Sequence, residues 1–459
     1  MRTSAQKHYR LCWIITLLVV LTTGGLAQGR ERFPLYPDIR PNVRFWEKIY
    51  NRYTTRQGVL HDKHRLNIIY TVIDLVDWSA PGSTRINREL IRLARRHYKK
   101  ILAELGAGKK PVTREEKRVA AMFPTRSHLA FRRARDDIRL QIGQKDRFRR
   151  GVIRSGAYMH SIKKIFRSYG LPAELAYLPH VESSYNTKAY SKAGAAGIWQ
   201  FTRATGRQYM IINRLIDERN DPLLSTRAAA RFLKSSYKQL GSWPLALTAY
   251  NYGQAGMERA LRERKNYENI FNNHRTRLFR FASRNFYSEF LAAVYTARKL
   301  EKNPAIILDR PQATLTIRLR GYASASDIRA HFKISAIDFS RLNPALRKPI
   351  LAGEKYIPKD FPIRLPANRR TRRLVANIPS WLYHSRQIRD HEYIVRRGDT
   401  AGAIADRYRI TVAKLIRANN LSRKATIRID QKLKIPGRIP VKRREHITLL
   451  RTRSKFQPD

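Results

Sequence analysis

Pro172-Ala173-Glu174-Leu175-Ala176-Tyr177-Leu178-Pro179-His180-Val181-Glu182-Ser183-Ser184-Tyr185-Asn186 is the stretch on which the fold of this chain turns. Proline at a first helical position loses no hydrogen bond and brings a suitable φ, so Pro172 predicts a helix start. Leu175, Leu178, Glu182 and Tyr185 follow at spacings of three, four and three, and so share one face of that helix. The face is otherwise apolar. A carboxylate set in an apolar stripe loses hydration when ionised, which lifts its pKa toward the range where it can donate a proton near neutrality. The plainer alternative is an acid at the edge of the stripe, held structurally by one of the many arginines. Glu174 lies about 12 Å from Glu182 along a helix. Paired-carboxylate glycosidases need about 5–9.5 Å, so Glu174 is a poor partner. The local sequence offers one acid, and an acid from elsewhere in the chain stays open.

Two further strings bear on that acid. Gly194-Ala195-Ala196-Gly197-Ile198-Trp199-Gln200 sets two glycines around two alanines, then an aromatic and an amide. Such glycines let backbone approach a ligand, with Trp199 stacking and Gln200 hydrogen-bonding; a tight turn feeding a core tryptophan is the alternative. Ser242-Trp243-Pro244 opens a short helix that ends in Ala249-Tyr250-Asn251-Tyr252-Gly253, with Gly253 as the stop. Asp221 before Pro222 predicts the cap of a strong helix over Thr226 to Leu240 that ends at Gly241.

In order and spacing, Glu182 to Asn186, Gly194 to Gln200 and Ala249-Tyr250-Asn251 resemble the signature of soluble-lytic-transglycosylase-type domains, which share a goose-lysozyme-like fold. Leu171 to Leu175 and Leu178 to Val181 resemble the membrane-bound lytic murein transglycosylase D branch. The resemblance implies Glu182 as the single catalytic acid/base. It implies substrate contacts from Ser183, Gln200, Tyr250 and Asn251, with Tyr250 holding Glu182 in orientation. Where much of the family carries a tyrosine, this chain has Phe286, which makes Tyr287 a candidate for the vacated cleft position. The implied reaction cleaves peptidoglycan between N-acetylmuramic acid and N-acetylglucosamine with formation of a 1,6-anhydro ring. The alternatives are a hydrolytic muramidase of the same fold and a non-catalytic wall-binding scaffold.

The expected architecture is mainly α: a lysozyme-like helical catalytic domain over 153–300, preceded by a helical section over 28–151. Within that section Asn87 to Leu105 reads as a helix, and a long amphipathic stretch runs from Arg132 towards Tyr169. Residues 391–437 run Tyr393-Ile394-Val395, Gly398-Asp399-Thr400, Asn419-Asn420-Leu421 and Leu433-Lys434-Ile435-Pro436, and resemble a LysM module, a small βααβ unit that binds N-acetylglucosamine-containing glycans. Ala401-Gly402 depart from the larger residues usual there. Arg320-Gly321, Ile328, Phe332, Ile334, Asn343 and Ile357-Pro358 recur as Arg397-Gly398, Ile404, Tyr408, Ile410, Asn419 and Ile435-Pro436. That repeat predicts a degenerate second copy over 313–360. Residues 361–390, with Asn368-Arg369-Arg370-Thr371-Arg372-Arg373, read as a basic linker, and 438–459 as a basic tail.

Arg2, Lys7 and Arg10, the apolar run Leu11 to Leu21 and Gly25-Leu26-Ala27 predict an export signal over 1–27, with a retained anchor as the alternative. Eleven apolar residues rise only about 16 Å as a helix, short of a bilayer core of ~30 Å. Cys12, the one cysteine, sits inside the run rather than after a cleavage site, which excludes a lipidated start and leaves the exported chain without a disulfide. The formal charge of +58 falls by the signal's three cations to +55. That excess predicts salt-sensitive attraction to polyanions. The cations are spread through every segment without a nucleic-acid motif, so the expected partners are peptidoglycan strands and anionic cell-envelope polymers, with no nucleic acid. Localisation is expected in the periplasm or cell envelope, and peripheral membrane association is compatible with it. The histidines are scattered, so neither a metal nor a cofactor is expected.

Overall fold

The computed structural model describes residues 31–436 apart from 126 and 390. The expected signal over 1–27 and the basic tail over 438–459 lie outside the described residues. The described chain is mainly helical. It opens with α1 (Arg40–Asn51), which buries Val43, Phe45, Trp46, Ile49 and Tyr50 on one face and packs along a long helix near the end of the catalytic region.

The section expected as helical also contains a three-stranded antiparallel sheet. β1 (Gln57–Asp62) lies between β2 (Ile69–Asp74) and β3 (Ile138–Ile142), with Gly58 opposite Ile73 on one side and Ile142 on the other. Side chains alternate across a strand. Val59 accordingly joins the larger core, shared with α1 and the helices after residue 145, while Leu60 faces an outer layer of α2 (Ser83–Gly106), α3 (Arg114–Ala121) and α4 (His128–Asp136). Tyr98, Ile101, Leu102, Phe123 and Phe131 fill that second core. The amphipathic stretch from Arg132 is therefore not one helix but the end of α4, β3, α5 (Lys145–Ser155) and α6 (Met159–Ser168). Gly143 makes the break possible. A Cβ there would lie 2.4 Å from the Tyr53 carbonyl oxygen, so only glycine lets the chain pass.

The helical region continues through a 3₁₀ turn (Ala173–Tyr177), α7 (Leu178–Glu182) and α8 (Arg203–Arg207). α9 (Pro222–Leu240) starts where Asp221 accepts from the Leu223 and Leu224 N–H groups at 3.0 Å, and ends at Gly241 with φ 74°. α10 (Trp243–Tyr252), α11 (Gln254–Arg264), α12 (Tyr267–Asn273) and α13 (Phe281–Glu301) follow. α13 is the spine: it packs on α1, α10 and α7, and Asn285 at its inner face accepts a buried hydrogen bond of 2.7 Å from the Asn42 amide.

Beyond it come two βααβ units. The first comprises β4 (Thr314–Arg318), α14 (Ala325–Phe332), α15 (Ala336–Leu342), a short α16 (Lys348–Leu351) and β5 (Pro362–Pro366). Its closing strand is Pro362–Pro366, paired Leu315↔Leu365, and not Ile357-Pro358, so the unit extends past residue 360. The basic run expected as linker instead forms α17 (Arg369–Ala376), capped by the Asn368 side chain and packed on α14. The last unit is β6 (His391–Ile394), α18 (Ala401–Arg407), α19 (Val412–Asn419) and β7 (Lys432–Ile435), around a small core of its own.

Candidate active site

α7 carries Glu182, and it is shorter than the spacing predicts. Pro179 has no N–H to give to the Leu175 carbonyl, so a continuous helix from Pro172 cannot form and the chain restarts at Leu178. The helix ends at Glu182. Ser184 and Tyr185 follow in the left-handed region at φ 49° and 57°, and the Tyr185 N–H turns back onto the Pro179 carbonyl at 3.1 Å. Tyr185 thus reaches the core by chain reversal rather than from the helical face shared with Leu175 and Leu178. It is fully buried, as they are.

Glu182 is half-buried, and burial pushes its carboxyl up to about 8. No ion pair involving it is present among the described residues. The tyrosine expected to orient it does something else. Tyr250 donates to the Trp199 carbonyl at 2.8 Å, and its ring stacks on Phe286 at 6.4 Å and 9°. It remains close enough that the Glu182 charge, after burial, helps hold its hydroxyl protonated.

The loop from Gly194 is a brace for this arrangement. A Cβ on Gly197 would sit 1.8 Å from the Arg219 carbonyl oxygen, and its φ of 74° suits glycine. Arg219 is buried, paired with Asp217 at 2.8 Å, and donates to the Gly194 carbonyl at 2.8 Å and the Phe201 carbonyl at 3.2 Å. Trp199 is a core residue whose indole N–H reaches Thr226 Oγ1 at 2.9 Å. Gln200, itself at φ 49°, donates to Gly197 at 2.8 Å, and Ser183 donates to the Ile198 carbonyl at 2.9 Å. Ser183 and Gln200 therefore tie the loop to itself and to the end of α7. Asn251 is exposed and its Oδ1 accepts from Ser283 Oγ at 2.7 Å.

Tyr287 does not stand in the vacated position. Neighbouring helical residues point about 100° apart; with Phe286 facing Tyr250, Tyr287 faces away, is fully buried and donates to the Pro34 carbonyl at 2.9 Å.

The residue that local reading missed is Glu289. It lies one helical turn beyond Phe286 on α13, which packs against α7. Burial raises its carboxyl to about 8, with repulsion from Glu182 adding and Arg139 opposing. Tyr50 of α1 is held protonated by burial and then by Glu289 and Glu182, so it faces both acids. Arg139 comes from β3, its guanidinium 4.0 Å over the Phe281 ring. Two carboxyls, two tyrosines and an arginine from five elements thus converge. The available signal was an acid inside the apolar run Phe286-Tyr287-Ser288-Glu289-Phe290-Leu291. His180, two residues before Glu182, is no proton donor: it is enclosed by Phe148, Tyr177 and Tyr185, and burial drives its pKa down to about 3.

The transglycosylase SLT domain family matches residues 160–272, and the LysM domain family residues 393–436. Membrane-bound lytic murein transglycosylase D of Escherichia coli strain K12 is 26% identical over 320 residues, covering 62% of this chain and 68% of the relative; the protein of the same name from E. coli O6:H1 gives the same values. The crystal structure of an inactive mutant of lytic transglycosylase Slt from Pseudomonas aeruginosa is 20% identical and covers 33% of this chain and 26% of that one at a TM-score of 0.27. The SLT match spans the helix bearing Glu182, the Gly194–Gln200 loop and the Tyr250-Asn251 helix end, and the LysM match coincides with the last βααβ unit. Residues 160–272 thus match the transglycosylase SLT domain family and residues 393–436 the LysM domain family.

Proposed function

We propose that this chain cleaves the β-1,4 bond between N-acetylmuramic acid and N-acetylglucosamine in peptidoglycan and closes a 1,6-anhydromuramic product. The supporting observation is Glu182, a half-buried carboxyl at the end of α7 whose pKa of about 8 keeps it protonated at neutral pH. In the first step Glu182 gives its proton to the glycosidic oxygen as that bond breaks, and the neighbouring acetamido group supports the positive anomeric carbon. In the second, the Glu182 carboxylate takes the proton from the muramic C6 hydroxyl, whose oxygen bonds to the anomeric carbon. Acid and base are one group in successive steps, so positioning carries much of the rate. Tyr250 shapes the wall beside Glu182, Asn251 is the exposed amide available to a sugar, and Ser183 and Gln200 keep the loop in place. The relatives are named membrane-bound murein transglycosylases; carried to this chain, that name supports export, an envelope location and glycan strands as partners.

Glu289 favours a second reading, a muramidase in which water attacks with the second carboxyl as base; because burial keeps Glu289 protonated at neutral pH, that route requires Glu289 to lose its proton first. Digestion of purified sacculi separates the two. Mass spectra dominated by anhydro products support the transglycosylase, whereas reducing ends that have gained water overturn it. Glu182→Gln is expected to lower the rate of sacculus solubilisation by about a thousandfold or more; an undiminished rate removes Glu182 from the chemistry.

A further inference from the structure

We propose that the outward face of α2 is a docking surface for an anionic phospholipid bilayer. α2 belongs to the outer layer, with the three-stranded sheet between it and the catalytic core. Its second half is anchored by Tyr98, Ile101, Leu102 and Leu105. In its first half only Ser83 and Asn87 are buried, so that half stands clear of the body. There Ile86, Leu90 and Leu93, spaced four and three, are 43%, 37% and 48% exposed and form an apolar ridge along the helix. Trp78 stands just before the helix, 37% exposed, its indole N–H fixed on the Thr55 carbonyl at 3.1 Å. An open depression of about 980 Å³ is lined by Trp78, Ile86 and Leu90 together with Arg85, Arg88 and Arg92, large enough for a phospholipid headgroup.

Flanking the ridge on its outer side, Arg85, Arg96 and Lys100 are exposed, and Glu89, the acid of this half of α2, is already taken by Arg92. A helix with an apolar ridge, a cationic flank and a tryptophan at one end suits the plane of a membrane interface: aliphatic and indole groups sink below the headgroups while the cations meet phosphates. Among the described residues no helix is long and apolar enough to cross a membrane, so α2 lies on the surface rather than through it. A soluble polyanion would engage the cations alone and leave the ridge in water. The ridge therefore selects the bilayer over nucleic acid or a wall polymer. With the sheet between, docking through α2 leaves the catalytic face free to work outward from the membrane.

The test uses the protein beginning at Gln28, sedimented with vesicles of phosphatidylcholine alone or with phosphatidylglycerol, and in parallel eluted from heparin by salt. The wild type is expected to sediment with the anionic vesicles and not the neutral ones. The variant Ile86→Ser/Leu90→Ser/Leu93→Ser is expected to lose about tenfold or more in partitioning while its heparin elution stays unchanged. The variant Arg85→Glu/Arg96→Glu/Lys100→Glu should weaken both, with vesicle partitioning falling about a hundredfold. Matching circular dichroism melts establish that the variants fold, independently of any lytic activity. A wild type that ignores anionic vesicles overturns the proposal, and so does a serine variant that binds them as tightly as the wild type, which would mark a polyanion surface only.

Discussion

Asn343 in the first βααβ unit and Asn419 in the last make the same connections. Each amide donates to the carbonyl of the closing strand at 2.9 Å and accepts from the N–H of the same residue at 2.7 Å, Arg364 in one and Lys434 in the other. Asp360 and Asp430, at φ 62° and 64°, then both turn the chain back onto the first strand, through Leu319 and Val395. The folds match, and their surroundings differ. The connection after Asn343 is longer and carries α16, and its Ala345, Leu346 and Arg347 bond with Leu215, Ile216 and Asp217 of the catalytic region. Arg364 reaches back to Asp221, the cap of α9, with one contact at 3.0 Å. The segment near His384 covers a further edge, pairing with Tyr322 and stacking on Tyr356 at 4.1 Å. In the last unit the corresponding loops are largely exposed. One copy has become part of the catalytic body; the other keeps the open surface a ligand-binding module needs.

The largest expected effect separates the two copies at one register position. Arg364 and Asp221 are 14% and 2% exposed at their side chains, and removing one partner of a buried pair leaves the other charge stranded. Arg364→Ala is expected to destabilise the catalytic body by about 3 kcal/mol, the low end because Asp221 keeps its two backbone donors. Lys434→Ala, at the equivalent exposed position, should shift stability by less than about 0.5 kcal/mol. Calorimetric melts of the two variants measure this directly, and equal effects would end the distinction between the copy joined to Asp221 and the more exposed one.

A smaller contrast comes from the asparagines. Asn343 is buried and Asn419 partly exposed, so water can replace part of what the second loses. Asn343→Ala is expected to cost about 2 kcal/mol and Asn419→Ala about 1 kcal/mol. Hydrogen exchange at Arg364 and Lys434 reads each clamp separately. A larger loss at Lys434 would reverse the assignment of which copy is the more tightly built.

These contacts also mark where sequence reading stops. Asp221, Pro222 and Gly241 bound α9 through interactions a few residues apart, and their spacing reveals them. Glu182 was legible because an acid in an apolar stripe next to two glycine-bearing strings is local information. The Asn343/Asn419 repeat was visible as a repeat, yet its closing strand was misaligned because the α16 insertion shifts Leu365-Pro366, not Ile357-Pro358, opposite the first strand. Glu289, Tyr50 and Arg139 were illegible as site residues. Each comes within electrostatic reach of the others only through the packing of α13, α1 and β3, and no local pattern encodes which distant acid will neighbour Glu182.

The last contrast is in pH. Glu182 and Glu289 both sit in the catalytic body with carboxyls lifted to about 8 from an ordinary 4.5, chiefly by burial. Between those values the folded body keeps protons that the unfolded chain has released, so its stability falls as pH rises across the window. In the last unit the shifted acid is Asp399, held low first by the Arg396 N–H and then by the Tyr393 hydroxyl. Its contribution is in place above pH 4 and is lost only on further acidification, so this unit should melt at the same temperature at pH 5 and pH 8. Glu289→Gln removes one of the two buried titrations without changing shape. The variant is expected to match the wild-type melting temperature near pH 4.5 and to exceed it by a few degrees at pH 8, in the body's transition only. Burial is what lifts Glu182, so the alkaline limb of the pH–rate profile should stay in place in this variant. A body transition whose pH dependence is unchanged in this variant would mean that Glu289 does not titrate in the folded body and that the second carboxyl belongs to packing alone.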